Sequence, residues 1–97
     1  MRVAAAQFRS TRDGEHNLDR VEKYARQAAA QGAQLMVCPE ATMVNFATKL
    51  APFAEPLDGP FVQRVRSTAA EGGIWIVVGL FEPSEDGRVH NTVVATD

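Results

Sequence analysis

Three features of this 97-residue chain predict an α/β fold built on a mixed β-sheet. Segments with helical apolar spacing alternate with apolar runs of strand length. One such run, Leu35 to Cys38, stops at Pro39 and delivers Glu40 to its C-terminal end, and the last two runs flank a cluster of turn formers. Strand, helix and strand in this order make a crossover with parallel strands, and the closing hairpin adds an antiparallel pair.

Arg2 to Phe8 reads as a buried first strand, with Val3 and the small run Ala4 to Ala6 allowing close packing on both faces. Turn and cap formers follow at Ser10, Thr11, Asp13 and Gly14. From about Glu15 to Gln31, apolar residues at Leu18, Val21, Tyr24, Ala25, Ala28 and Ala29 fall on one helical face. Asp13, Glu15 and Asp19 suit its N-terminal dipole, Asp19 with Lys23 and Glu22 with Arg26 are spaced as ion pairs, and Gly32 suits a left-handed cap.

Leu35 to Cys38 is the second strand, and Pro39, lacking an amide hydrogen, puts Glu40 on the connecting loop. Residues 41 to 58 show little periodicity and are expected to line a pocket. Pro60 opens a second helix with Phe61, Val62, Val65 and Ala69 on its apolar face, ended by Gly72 and Gly73. Ile74 to Phe81 is uncharged, as in a central strand covered on both faces. Val89 to Thr96 resumes the β pattern after the turn at Pro83 to Gly87. The chain then stops at Asp97 with no covering helix, which reads as an incomplete domain with an open sheet edge.

Hydrophobic residues at 45% and charged residues at 23% are ordinary for a globular domain. A net charge of −2 without a basic stripe argues against nucleic acid. No apolar run nears the roughly 20 residues of a membrane span, and the N-terminus lacks a signal-peptide core, so a cytoplasmic location is expected. With one cysteine and two isolated histidines, His16 and His90, neither a disulfide nor a metal site is expected. No Gly-x-Gly-x-x-Gly follows the first strand, which counts against a dinucleotide fold.

Ligands of open α/β sheets bind beyond the carboxyl ends of the strands, so Glu40 is a candidate catalytic acid or base; on the residues alone a solvated loop acid or helix cap fits as well. Cys38 reads as a small buried hydrophobe and Trp75 as core. Phe46 is a candidate substrate-lining residue or ordinary packing, Lys49 a solvated loop residue, and Glu82, at the C-terminal end of its strand, an acid that assists the site or, more in keeping with its residue type, a structural acceptor or exposed acid.

Several segments, in order, resemble the N-terminal part of the nitrilase superfamily, the carbon-nitrogen hydrolases. They are Val3 to Phe8, Asn17 with its helix, Val37-Cys38-Pro39-Glu40, Glu55 to Pro60, Val78 to Glu82 and Asn91-Thr92. General likeness is to the small amidases acting on ω-amides and deaminated glutathione. Cys38, where a bulkier residue is usual, and His90, where Tyr is frequent, depart from the pattern.

The resemblance implies a four-layer α-β-β-α sandwich, a small-molecule amide or nitrile substrate, no cofactor, a homo-oligomeric intact protein, and catalysis by Glu, Lys and Cys. Glu40 matches the Glu, whereas the family's Lys and nucleophilic Cys lie beyond residue 97. The expectation is therefore an N-terminal portion, residues 1 to 97, that is inactive alone. The alternative is a non-enzymatic α/β module docking on another chain.

Overall fold

The computed structural model describes all residues from 1 to 97. Asp13 starts the first helix, α1 (Gly14–Ala30), because its carboxylate accepts from the amides of Glu15 and His16, two of the orphan donors of the first turn. Leu18, Val21, Ala25 and Ala28 form its buried stripe, and Gly32, at φ 81°, turns the chain out of the helix. The second helix, α2 (Pro60–Gly72), has no side-chain cap on Gly59. Glu55 substitutes for it, accepting from the Phe61 amide at 2.8 Å, and Gly73 ends the helix in the left-handed region at φ 62°.

The expected ion pairs within α1 are replaced by a contact between the helices. Arg64 of α2 reaches Glu15, Asp19 and Glu22 of α1 at 2.7, 2.6 and 2.7 Å. A planar guanidinium with five donors, reaching across from the facing helix, satisfies three carboxylates at once, which a single i,i+4 partner on α1 does not.

Four strands, β1 (Val3–Ala5), β2 (Leu35–Val37), β3 (Trp75–Pro83) and β4 (Val89–Thr96), lie side by side in that order. β1 with β2 and β2 with β3 are parallel, and β3 with β4 is an antiparallel hairpin, so the sheet is mixed as expected. Side chains alternate between the faces. Met36, Ile76, Val78 and Leu80 face the helices and are fully buried in a cluster of 19 hydrophobic residues.

The opposite face is largely open. Val3 is 53% exposed, Val37 39%, Trp75 48% and Val93 64%. This corrects two expectations: the first strand is a three-residue exposed edge rather than a buried strand over Arg2 to Phe8, and Trp75 is not core. An uncharged strand reads alike whether one or both faces are covered, and here both helices pack on one side.

Residues 41 to 58 also differ from a plain pocket loop. Ala41, Thr42, Met43 and Val44 are buried in the core, and only beyond them does the segment become exposed, with a single 3-10 turn at Ala51–Phe53.

Candidate active site

Pro39 and Glu40 leave β2 along β3 rather than away from it. The Cys38 amide donates to the Val77 carbonyl at 2.8 Å and the Met43 amide to the Gly79 carbonyl at 3.3 Å, so the intervening residues strap across the sheet. Gly79 makes the strap possible, since a Cβ there would lie 1.4 Å from the Glu40 carbonyl oxygen. The Thr42 hydroxyl donates to the Pro39 carbonyl and closes the turn.

Asn17 holds the far side of the strap. Its side chain is completely buried, and its Nδ2 donates to the carbonyls of Thr11 (2.8 Å) and Met43 (3.0 Å), while its Oδ1 accepts from the Thr11 amide and hydroxyl. Every polar atom of this carboxamide is engaged, as burial demands.

On this frame the Glu40 carboxylate is exposed at the C-terminal end of β2, on the sheet face away from the helices. Its Oε2 accepts from Asn91 Nδ2 of β4 at 2.7 Å, and its Oε1 accepts no hydrogen bond from the protein. Asn91 is the cross-strand partner of Phe81, so both side chains lie on that face. Phe46, 57% exposed, packs edge-on against the Phe81 ring with centroids 5.5 Å apart. Phe46 and Glu40 thus come to the same end of the sheet through adjacent neighbours.

Other acid and thiol candidates are kept apart from it. Glu82 accepts from the Thr92 hydroxyl at 2.8 Å and alternates with Phe81, on the helix-covered side. Cys38 is buried, and burial pushes its thiol up to about 12, the opposite of what a nucleophile needs at neutral pH. Lys49, His16 and His90 are all exposed. No group of three His, Cys, Asp or Glu side chains could hold a metal ion. No helix is long and apolar enough to cross a membrane.

Two surface depressions beside the helices do not include Glu40. One lies between the helices, lined by Glu22, Arg26, Thr68 and Glu71, and another by the helix starts, lined by Arg12, Met43, Glu55 and Arg64. Their walls are ordinary helix-packing residues, whereas Glu40 stands on the open face.

Asn17 and Asn91 were visible in the sequence only as points of family resemblance, and the role of Gly79 was not visible at all. The Glu40 to Asn91 bond spans 51 positions, which no local spacing encodes. The only available signal for Gly79 was a glycine inside an uncharged strand, which marks close approach of another backbone.

Residues 2–97 match the carbon-nitrogen hydrolase family. A hydrolase of Mycobacterium tuberculosis is 52% identical over 95 residues, covering 98% of this chain and 34% of that protein. An omega-amidase of Xenopus tropicalis is 32% identical over 92 residues, covering 94% of this chain and 33% of that protein. The chain spans about a third of the length of these curated relatives.

Among solved structures, a mutant amidase from Nesterenkonia sp. AN1, carrying acrylamide added at its active-site cysteine, superposes with a TM-score of 0.82 at 28% identity. The match covers 100% of this chain and 39% of that one. The C. elegans NitFhit protein shares the fold with a TM-score of 0.86 at 22% identity, covering 98% of this chain and 24% of that one.

Proposed function

This chain belongs to the carbon-nitrogen hydrolase family, and from that premise we propose that it is the N-terminal part of an enzyme hydrolysing a non-peptide amide or related carbon-nitrogen bond of a small molecule. Glu40 is its general base. The observation that carries the reading is the Glu40 carboxylate at the end of β2, exposed, with Oε2 tethered and Oε1 open.

The chemistry assigns one task to this segment. The carboxylate takes the proton of a thiol whose sulfur attacks the amide carbon, an ammonium stabilises the oxyanion, and the carboxylic acid so formed gives that proton to the leaving nitrogen, which departs as ammonia. It then takes a proton from the water that cleaves the thioester and returns it to the departing sulfur. Glu40 carries the protons, while the attacking thiol and the ammonium come from the rest of the enzyme, because the buried Cys38 thiol is not ionised. Phe46 lines the substrate pocket. The intact enzyme is a homo-oligomer and needs no metal or organic cofactor. The open face bearing Val3, Val37, Trp75 and Val93 receives the second sheet of the sandwich.

In the full-length protein, Glu40→Gln lowers the rate of ammonia release from butyramide or succinamate by roughly 10²- to 10⁴-fold. The 97-residue chain alone releases none above its own Glu40→Gln control. Retention of full activity by Glu40→Gln, or absence of turnover by the full-length parent on every short aliphatic amide, overturns the reading.

The same open apolar face favours one second reading, a module that docks on another chain without catalysis. It requires partner binding to survive Glu40→Ala and no amide turnover by the complex.

A further inference from the structure

We propose that Asn91 is the positioning residue for Glu40, holding one carboxylate oxygen so that the other is presented for proton transfer; this rests on the reading of Glu40 as general base. A glutamate on an open face has three side-chain torsions, and freezing such a chain carries an entropy cost that a well-placed donor must offset. The donor that selects one arrangement sits on a strand whose register is fixed by the ladder pairing Asn91 with Phe81. Its Nδ2 lies 2.7 Å from Oε2, a charge-assisted bond that is stronger than a neutral one.

The chemistry of the donor matters as much as its place. A base that takes a proton and returns it must be held in both states. When Oε1 carries the proton, Oε2 becomes the carbonyl-like oxygen and still accepts from the amide. A lysine or arginine in place of Asn91 would bind the ionised form selectively and oppose protonation. The neutral carboxamide favours one geometry without fixing one charge. Gly79 restrains the backbone of the same residue, leaving the side-chain torsions for Asn91 to settle.

The test measures kcat and KM for ammonia release from butyramide and succinamate by the full-length enzyme and its Asn91→Ala, Asn91→Asp and Glu40→Gln variants, with thermal unfolding alongside. Asn91→Ala lowers kcat by roughly 10- to 100-fold with KM changed less than about threefold, the loss expected for a misaimed catalytic group. Asn91→Asp keeps the shape but removes the donor and places a like charge beside the carboxylate, so it loses more than Asn91→Ala.

A packing role predicts the reverse order, because Asp fills the space that Ala leaves empty; Asp outperforming Ala overturns the proposal. Both Asn91 variants within threefold of the parent, with Glu40→Gln inactive, also overturn it while leaving the general base in place. An active Glu40→Gln removes both.

Discussion

The two faces of the sheet are made of similar residues and live in different environments. Met36, Ile76, Val78 and Leu80 meet α1 and α2 and are sealed from water, whereas Val3, Val37, Trp75 and Val93 on the other side remain in contact with it. Both helices lie on the sealed face, and the Glu40 strap, Asn91 and Phe46 on the open one. With Glu40 as the proposed general base, stability and chemistry are divided between the sides of one sheet, and a side chain's role follows from which way its strand position points.

The sharpest way to break this contrast is at Gly79, where the open face is covered by the chain's own backbone. Gly79→Val drives its side chain into the Glu40 carbonyl. It should cost about 4 kcal/mol in urea unfolding, near the top of the single-substitution range, and abolish turnover in the full-length enzyme. A cost below about 1 kcal/mol would mean that the strap lifts freely from β3.

Paired substitutions in β3 compare the faces directly. In this chain Ile76→Ala should cost about 3 kcal/mol through lost burial and a cavity, and Trp75→Thr, one residue earlier, less than about 1 kcal/mol. Equal costs would mean that the open face is covered in solution. The same pair in the full-length protein should converge, as Trp75 gains the cover proposed for it.

The smallest effect is an alkaline one on the sealed side, at Cys38, two residues beyond Met36 and on the same face. Burial raises this thiol to about 12 when folded, while an unfolded thiol titrates near pH 8.5. The stabilisation is therefore complete below the unfolded value and falls by up to about 1.4 kcal/mol per pH unit as pH rises toward about 12. Urea unfolding at pH 8 and pH 10 should reveal the loss in the parent and a smaller one in Cys38→Ala. Rapid iodoacetamide labelling of the folded chain at pH 8 would show instead that the sealed face opens locally.

The sealed side is also the part that the sequence made legible. The stripe from Leu18 to Ala28, the Asp13 cap, Pro60 at a helix start, Gly73 at a helix end and the β3 to β4 hairpin all follow from spacing and backbone preference. Those signals are local. What stayed hidden depends on distant partners: Arg64 drawing Glu15, Asp19 and Glu22 away from their helix neighbours, and Asn91 meeting Glu40. Glu40 itself was legible as a candidate because Pro39 ends its strand, whereas the exposure of Val3 and Trp75 was not, since apolar composition records that a face is meant to be covered and not by what.

The buried carboxamide of Asn17 has a consequence for how the chain tolerates length changes. It links the segment before α1 to the strap after β2, and its reach depends on its angle about the helix axis. A residue inserted between Gly14 and Asn17 would rotate the carboxamide by about 100° and leave the Thr11 and Met43 carbonyls without their donor. A residue inserted between Glu85 and Gly87 would only enlarge an exposed hairpin turn. Insertions are therefore tolerated at the hairpin tip and excluded at the start of α1, ahead of Asn17 and far in sequence from the glutamate that they would displace.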